Sequence, residues 1–577
     1  MDPAGTYLSD QLIAYIGNKR ALLPFLYGVI SALPLDPLRC TFLDPFAGSG
    51  SVSRLARTMG FHVRANDWEP YSLVINTCHL RLRPSDLASL FPSGGGITGV
   101  LDNLNALPPP PEEDRYISRH YAPRSTDGAD WRTERLFYTT ENALAIDAIR
   151  QRIEEMYPGT PAAETDFLRK SAILAPLLYQ AATHTNTSGV FKACHKGFGG
   201  HGRDALQRIM GPVLLRPPVL AESPAPAEVA CMDAAAFLAT RTAEVCYLDP
   251  PYAVHQYGSN YFMLNTIALW DRQPVSSERG VDGRLLHKAG IRPDWTRTRS
   301  AFCYRDTAPG AMRGVVHAAD CRWLAVSYSN EGLIGLEELC DLLAETGELT
   351  VQSREYAKYP GGKQSLHRAT RNMELVLVLH RGATTRRPAA VGDALMNVRL
   401  ERLLALSYSP ALIRRSFSVR GDSIVVGDGQ GTDSPDGDGP VGNGPEVLLP
   451  MRHLWRFMPE ATVPKFFSRR AAESFLETLS GCVVSDIRKE IEILVSVAAG
   501  LAEAREKVMV LRESLRLLNK LAHRKYHAEF ADALGKLRAA APRRGAGSSF
   551  RSSLVAIEER AQRRIEAADR QRPEHEK

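Results

Sequence analysis

The sequence predicts an α/β fold built on a doubly wound parallel sheet. Two observations support this fold class. Short apolar runs that read as strands, "TFLD" (41–44) and "FHVRAND" (61–67), flank a segment of helical period, "SVSRLARTMG". That segment ends at Gly60, a typical helix C-cap. Strand, loop, helix and strand in this order form the first unit of such a sheet.

Strand-like runs return later in the chain, at "EVCYLD" (244–249), "RWLAVSYS" (322–329) and "MELVLVLH" (373–380). The last is almost entirely apolar or β-branched, as expected of a strand buried on both faces. Residues 81–230 separate the two groups of strands and read as an inserted region of weaker pattern. We therefore expect one α/β domain formed from residues 1–80 and 231–385.

The C-terminal part of the chain has a different composition. Residues 386–446 include "GDGQGTDSPDGDGPVGNGPE", which is dense in Gly, Asp and Pro, so we expect a linker that is partly disordered. Residues 447–577 carry apolar residues near every third or fourth position with charges between them. This pattern predicts a helical C-terminal domain.

Composition and charge restrict the class of protein. The chain has 577 residues, 44% of them hydrophobic, and a formal net charge of +6, which permits a polyanionic partner without requiring one. Its nine cysteines are scattered, without a CxxC pair or zinc-type spacing, which indicates reduced thiols and no metal site. The N-terminus lacks the pattern of a signal peptide and no run is long enough to span a membrane. We expect a cytoplasmic protein.

The Gly-rich turn in "LDPFAGSG" predicts a small-molecule site at the carboxyl edge of the sheet. Asp44 ends a strand, and Gly48 and Gly50 would let the backbone approach a ligand. Asp67 ends the next strand, where an acid can bind ribose hydroxyls. The dinucleotide fingerprint is incomplete, and a strand-end acid would repel a pyrophosphate. A cation with an adenosine end, S-adenosylmethionine, fits better.

The motif "DPPY" follows the predicted strand 244–249 and reads as a rigid receptor for a planar amine. Asp249 and the carbonyl of Pro250 are two acceptors, and the Pro250–Pro251 pair stiffens the backbone that holds them. Tyr252 offers a flat face for stacking. Such a site would grip the exocyclic NH2 of a nucleobase swung out of a duplex and stabilise the positive charge that builds on its nitrogen during methyl transfer.

Four segments in this order resemble the D12 class of N6-adenine DNA methyltransferases: "YIGNKRALLPFL" (15–26), "DPFAGSG", "ANDWEP" and "DPPY". The likeness covers roughly residues 10–380. It implies the Rossmann-like doubly wound sheet of class I S-adenosylmethionine-dependent methyltransferases, with residues 81–230 as a target-recognition region. It also implies transfer of a methyl group from S-adenosylmethionine to adenine N6 in double-stranded DNA.

The resemblance also implies roles for individual residues. The catalytic set would be Asp249, Pro250, Pro251 and Tyr252. The cofactor-binding set would be Tyr15, Gly17, Lys19, Asp44, Phe46, Gly48, Gly50, Asp67, Asp233 and Asp249. Some members carry Trp and two glycines where this chain has "YIGNK", but Tyr15 can still stack.

The stretch "NTSGVFKACHKGFGGHGR" is the predicted DNA-contacting loop within the inserted region. Lys192, Lys196 and Arg203 could reach phosphates, and Phe191 or Phe198 could wedge beside the extruded base. The resemblance further suggests a restriction-modification or defence system with a cognate endonuclease as partner. Two alternatives remain at this point: methylation of cytosine N4 or of an RNA base, and a non-catalytic DNA-binding module on the same fold.

Overall fold

The computed structural model describes residues 3–199, 203–357, 371–381, 389–404, 406–426, 447–458, 461, 469–522, 526–542 and 547–569. The chain divides into two compact units. The first comprises Met1–Gly362 with Asn372–Val391, and the second Lys363–Arg371 with Gly392–Lys577. Over the described ranges, no helix is both long enough and apolar enough to cross a lipid bilayer.

Seven strands form one sheet in the first unit. They are β1 (Thr41–Asp44), β2 (His62–Asp67), β3 (Ala227–Cys231), β4 (Thr242–Leu248), β5 (Asp320–Ser329), β6 (Gly347–Ala357) and β7 (Arg371–Arg381). The order is β3-β2-β1-β4-β5-β7-β6. Strand β1 pairs in parallel with β2 on one side and β4 on the other, so the chain changes direction across the sheet at this point. Ligands bind at such a switch point in doubly wound folds.

Helices surround this sheet. They are α1 (Pro3–Ser9), α2 (Leu23–Ser31), α3 (Ser51–Met59), α4 (Pro70–Asn76), α5 (Asp86–Leu90), α6 (Gly96–Asn105), α7 (Ile117–Tyr121), α8 (Thr140–Met156), α9 (Glu164–Thr183), α10 (Arg203–Met210), α11 (Ala234–Leu238), α12 (Tyr257–Asn260), α13 (Phe262–Leu269), α14 (Ala308–Ala318) and α15 (Leu336–Ala344). Helices α4, α9 and α13 pack against one another. Helices α8 and α9 of the inserted region 81–230 therefore share one hydrophobic core with α4 and α13.

The elements predicted around the glycine-rich turn are confirmed. The run 41–44 is β1, the next segment is α3, and Gly60 caps α3 in the left-handed conformation with φ 101°. The carbonyls at the end of α3 accept from the Gly60 N–H, the usual arrangement of a glycine C-cap. The three later strands, 244–249, 322–329 and 373–380, correspond to β4, β5 and β7. Strand β7 runs antiparallel to β5, and the other described pairings between the strands from β1 to β5 are parallel.

The second unit contains a small sheet and a helical region. Its elements are α16 (Ala389–Leu404), α17 (Pro410–Ser416), β8 (Val419–Arg420), β9 (Ser423–Val426), β10 (Val447–Arg452), β11 (Arg456–Phe457), α18 (Arg469–Gly481), α19 (Ile487–Gly500), α20 (Ala504–Leu521), α21 (His527–Ala540) and α22 (Gly547–Asp569). The described part of the expected linker, 389–404 and 406–426, is therefore folded, and Ile413 and Ile424 lie in a hydrophobic core. The Gly- and Asp-rich stretch 427–446 lies outside the described residues.

Candidate active site

One pocket of about 320 Å³ opens at the carboxyl ends of β1, β2 and β4. The turn after β1 and the Asp249–Tyr252 segment after β4 line the same pocket. They meet because β1 and β4 are neighbouring parallel strands, with Phe42 beside Val245. Of the described residues that line it, five are acidic and two are basic. The pocket is therefore suited to a ligand that carries positive charge.

Asp44 has one satisfied and one unsatisfied carboxylate oxygen. The Ser53 hydroxyl at the start of α3 donates to Oδ2 at 2.6 Å. Oδ1 is buried and, within the described part of the chain, has no hydrogen-bond partner. Burial raises the pKa of Asp44 to about 7, with Ser53 opposing that rise. A buried acceptor without a partner is costly, so a donor supplied by a ligand would stabilise this site.

Gly48 and Gly50 are required by the packing of the turn itself. Both have positive φ, 52° and 79°. A Cβ on Gly48 would lie 2.7 Å from the Tyr15 ring, and one on Gly50 would lie 2.2 Å from the Asn76 side chain. The sequence led us to expect glycine here for ligand approach. The structure adds a second reason, since Tyr15 and Asn76 already fill the space that a side chain would need.

Asp67 links the end of β2 to the glycine-rich turn. Its Oδ2 accepts from the Gly48 N–H at 2.8 Å, and its Oδ1 accepts from the Glu69 N–H at 2.9 Å. Burial raises the pKa of Asp67 to about 6 against these backbone donors. Each oxygen of an ionised carboxylate can accept a second hydrogen bond, so Asp67 retains acceptor capacity on the pocket side.

Asp249 lines the pocket and is the outermost of three charged side chains that contact one another in sequence: Asp249, Lys19 and Glu374. Its Oδ1 is 3.0 Å from Lys19 Nζ, and the same nitrogen is 2.6 Å from Glu374 Oε1. Although burial favours the neutral amine, the two carboxylates raise the pKa of Lys19 well above its usual value. Burial raises the pKa of Asp249 to about 6, and the charge of Lys19 opposes that rise. The Asp249 side chain keeps 17% exposure, on the pocket side.

The rings around Lys19 hold the 15–19 segment in place. Tyr15 stacks on Tyr261 at 4.8 Å, and its hydroxyl accepts from Tyr71 at 3.0 Å. The Tyr261 hydroxyl accepts from Ile16 N–H, and the Tyr257 hydroxyl donates to Ile16 O. Helices α12 and α13 follow "DPPY" directly, so the segment after the motif fixes the segment that carries Lys19.

The other predicted pocket residues lie in the pocket wall, except Gly50, which is absent from the lining although its neighbours Ser49 and Ser51 belong to it. Tyr252 lies with its ring centroid 5.2 Å from Lys19 Nζ, and Gly17 lies beside its hydroxyl. Phe46 packs edge-on against Phe302. Pro250 and Pro251 join Asp249 to Tyr252 along the wall. Asp233 also reaches the pocket, where its Oδ1 caps α11 by accepting from Ala235 and Ala236 N–H.

The five predicted DNA-contacting residues differ in their exposure. Lys192 and Lys196 are exposed, and Lys196 Nζ lies 4.4 Å from the Trp131 ring centroid. Phe198 is half-buried. Arg203 begins α10, and its side chain is outside what the structure describes.

Phe191 requires a correction. It is 2% exposed and packs against Phe137 and Phe262, and its N–H donates to Asn260 O. Its ring is therefore part of the hydrophobic core and is not placed to wedge into DNA. The sequence pattern around it does not distinguish a buried aromatic ring in a Gly-rich loop from an exposed one.

Two acidic residues of the site were missed from the sequence. Glu374 is fully buried on β7, and Glu69 is 3% exposed in the pocket wall, where Asn265 donates to it at 2.5 Å. Burial raises the pKa of Glu69 to about 7. A signal for Glu374 was present, because it is the one acid in the otherwise apolar "MELVLVLH". A carboxylate inside a buried strand needs a charged or hydrogen-bonding partner.

Comparison with known proteins identifies the family. The family described as D12 class N6 adenine-specific DNA methyltransferase matches residues 15–284. The Type II methyltransferase M.NlaIII of Neisseria lactamica is 30% identical over 370 residues, which are 64% of this chain and 99% of that protein. This chain belongs to the D12 class of N6 adenine-specific DNA methyltransferases. It is therefore an enzyme of the methyltransferase class, as predicted, and the family favours adenine in DNA over cytosine N4 or RNA.

Two further relatives of the D12 methyltransferase differ in how much of their own length the match covers. The Type II methyltransferase M.CviAII of Paramecium bursaria Chlorella virus 1 is 29% identical over 351 residues, 60% of this chain and 92% of that protein. The modification methylase LlaI of Lactococcus lactis subsp. lactis is 28% identical over 369 residues, 63% of this chain but only 54% of its own length. No solved structure gives a significant match.

Proposed function

We propose that this D12 methyltransferase transfers the methyl group of S-adenosylmethionine to N6 of an adenine that is extruded from duplex DNA at a specific sequence. One observation carries the proposal. The acid-rich turn after β1 and the Asp249–Tyr252 receptor after β4 line a single pocket, so a methyl donor and an amine can lie within transfer distance.

The residues present fit S-adenosylmethionine. Asp44 Oδ1 is buried and, among the described residues, unpartnered, which suits the ammonium group of the donor. Asp67 retains acceptor capacity for ribose hydroxyls, and Asp233 lies in the same wall. Tyr15, Gly17, Phe46, Gly48 and Gly50 would shape the cavity around it. When bound, the donor supplies a methyl group on a sulfonium, and the C–S electron pair returns to sulfur as the N–C bond forms.

The receptor for adenine would be built from Asp249, Pro250 and Tyr252. Asp249 offers an oxygen to one hydrogen of the amine, and the Pro250 carbonyl offers an acceptor for the other. Tyr252 would stack on the base. Asp249 then stabilises the positive charge that develops on N6, before that nitrogen loses a proton to solvent. Pro251 keeps this segment rigid.

Extrusion of the base follows from the charge of the pocket. Its five carboxylates would repel a phosphate backbone, so the duplex must stay outside while one base enters. Paired adenine also has its amine engaged with thymine, which blocks attack. Unstacking costs a few kilocalories per mole, which the pocket contacts offset.

Basic residues near the pocket suit contact with the DNA backbone. Burial raises the pKa of Cys303 to about 11, and the nearby charge of Lys192 opposes that rise. Cys303 follows Phe302 of the pocket wall, so Lys192 lies within electrostatic range of a residue next to that wall. Lys196 lies over the ring of half-buried Trp131. We propose that Lys192 and Lys196 bind phosphates, that Phe198 contacts the DNA beside them, and that Arg203 contributes from α10.

The relatives suggest a biological setting. M.NlaIII and M.CviAII are named Type II methyltransferases, and LlaI is named a modification methylase. We therefore propose that this enzyme protects DNA in a restriction-modification system and acts beside a cognate endonuclease. We further propose that residues 81–230 recognise the target sequence.

Analysis of methylated nucleosides tests the proposed reaction. The full-length protein is incubated with duplex DNA and S-adenosylmethionine labelled in the methyl group, and the DNA is digested to nucleosides. We expect label in N6-methyl-2′-deoxyadenosine and a single sequence context on sequencing. Label in N4-methyl-2′-deoxycytidine, or transfer to RNA in preference to DNA, would contradict it.

A further inference from the structure

We propose that Glu374 is a positioning residue for methyl transfer. By sharing the Lys19 ammonium, it leaves Asp249 with an uncommitted oxygen and a net negative charge for the substrate amine. This inference rests on the proposed function of Asp249 as the receptor for adenine N6. It concerns a residue outside the predicted motifs and outside the matched range 15–284.

The position of Glu374 follows from the sheet. Strand β7 runs antiparallel to β5, so the start of β7 lies at the same edge as the end of β4. Glu374 pairs in register with Ser329, and the Ser327 hydroxyl donates to Glu374 Oε1 at 2.6 Å. The carboxylate is fully buried, and its Oε1 lies 2.6 Å from Lys19 Nζ.

Glu374 can act only through Lys19. The described residues that line the pocket include Lys19 and Asp249 but not Glu374. Lys19 is 2% exposed, so water does not screen its two ion pairs effectively. A bound amine would therefore contact Asp249 and not Glu374, which lies on the far side of Lys19. Glu374 would affect the amine only by changing the net charge of the group that contains Asp249.

The charge count explains why a second carboxylate is useful. Lys19 alone against Asp249 would form a neutral pair, and a neutral pair stabilises a developing cation poorly. With Glu374 the group carries one net negative charge beside the reacting amine. Stabilisation by a fixed charge in a low-dielectric site is the largest contribution to many enzymatic rates.

Several other groups face Asp249 and must be counted in any pH effect. They are Asp44 from β1, Tyr247 from β4, Tyr252 from its own segment and Tyr257 from α12. Lys19 lowers the pKa of Asp249 and Glu374 raises it. Removing the charge of Glu374 therefore lowers the pKa of Asp249, while Asp44 and the tyrosines keep their places.

The first test is Glu374→Gln, measured as kcat, KM and the pH dependence of kcat. We expect kcat to fall by about tenfold or more, with KM for both substrates changed by less than about threefold. The fall of kcat on the acidic side of its pH profile should move to lower pH, because the pKa of Asp249 is lowered; this side of the profile is called the acid limb below. The melting temperature should not fall, because the change removes the net negative charge of the buried Asp249–Lys19–Glu374 group and leaves Lys19 paired with Asp249. Glu348→Gln, an exposed acid on β6, is the matched control and should behave as the wild type.

A double-mutant cycle with Lys19→Met tests the route of the effect. If Glu374 acts through Lys19, Glu374→Gln should lower kcat by less than about threefold in the Lys19→Met background. An equal loss in both backgrounds would overturn the proposal. Glu374→Asp, which keeps the charge but retracts it, should give an intermediate kcat and a smaller shift of the acid limb. It also serves if Glu374→Gln does not fold.

The outcomes separate this inference from the proposed function. A wild-type protein that forms no N6-methyl-2′-deoxyadenosine in duplex DNA contradicts the proposed function. A wild-type protein that forms it, together with a Glu374→Gln protein whose acid limb is unmoved, overturns the role of Glu374 alone. A fall in kcat that accompanies a lower melting temperature and an unmoved acid limb shows a structural role and also overturns it.

Discussion

Two aspartates that end neighbouring strands of this methyltransferase differ in what neutralises them. Asp249, after β4, has Lys19 at 3.0 Å. Asp44, after β1, has no cation beside it: the Ser53 hydroxyl donates to one oxygen, the Phe46 N–H adds a weaker stabilisation, and Oδ1 is buried without a hydrogen-bond partner among the described residues. Burial raises the pKa of both, to about 6 and about 7.

The difference indicates which of the two aspartates would be neutralised by a cationic ligand rather than by a cation of the protein. The charge of Asp249 is partly offset within the protein by Lys19, which Asp249 shares with Glu374, so Asp249 can remain ionised while the pocket is empty. Asp44 is compensated only when a cationic ligand arrives. We therefore assign Asp249 to the amine that reacts and Asp44 to the methyl donor. Substitutions of Asp249 and Asp44 each change one side of this comparison, and substitution of Lys196 changes neither.

Asp249→Ala should have the largest effect. It removes the acceptor for the amine and leaves Lys19 facing Glu374 alone, so kcat should fall by about a thousandfold or more. Methyl transfer from labelled donor into duplex DNA measures this. Asp320→Ala, which removes an exposed carboxylate at the start of β5, is the control and should leave kcat unchanged. Near-normal methyl transfer by the Asp249→Ala protein would contradict the proposed role of Asp249 as the acceptor for the substrate amine.

Asp44→Asn should separate donor binding from chemistry. Loss of one buried charge-assisted hydrogen bond weakens binding of S-adenosylmethionine by about thirtyfold. Titration calorimetry measures that affinity, and kcat at saturating donor should change by less than about threefold. Ser53→Ala is a useful comparison, since it touches only the oxygen already satisfied. Equal donor affinity in Asp44→Asn and wild type would contradict the role of Asp44.

The raised pKa of Asp44 predicts a particular dependence of stability on pH. A carboxyl group whose pKa is higher in the folded state than in the unfolded state favours folding when protonated, and this contribution is lost as pH rises through about 7. Asp44→Asn should therefore melt a few degrees above the wild type at pH 8 in the absence of donor. The difference should shrink toward pH 5. A difference that is constant across this range would show that Asp44 does not titrate there.

Lys196→Ala should have the smallest effect on methyl transfer, because it changes neither Asp44 nor Asp249. Removing one phosphate contact weakens DNA binding a few-fold and reduces the slope of log Kd against log salt by about one. Donor affinity should stay unchanged. Arg39→Ala is the matched control, because Arg39 is an exposed cation that precedes β1 at the opposite edge of the sheet. An unchanged salt slope would remove Lys196 from the DNA contacts.

The sheet and its motifs were predictable because their signals are local. The β1 turn, the Gly60 cap and the strand before Asp249 each depend on a few adjacent residues. Helix α8 was not predicted, because polar residues interrupt its buried face. Asp147 accepts from the N–H groups of Ile117 and Ser118, and Arg150 donates to Ile267 O. Polar residues used internally in this way erase the apolar period on which helix prediction depends.

The sequence predicted the motifs that line the site but not the buried residues that pack or pair behind them. Residues 15–19, 44–49 and 249–252 meet in one pocket because β1 and β4 are neighbours, and the order of strands made this expected. Glu374 was missed because its partner Lys19 is more than 350 positions away in sequence. Phe191 was misplaced because the sequence of a glycine-rich loop does not show which of its rings packs inward.

The most direct test of the account is a structure of the enzyme with duplex DNA and a non-reactive analogue of S-adenosylmethionine. We predict that the ammonium of the analogue lies within hydrogen-bond distance of Asp44 Oδ1. We also predict that the amine of an extruded adenine contacts Asp249 and the Pro250 carbonyl in the same pocket. An analogue bound away from Asp44, or a target adenine that remains stacked in the duplex, would contradict the account.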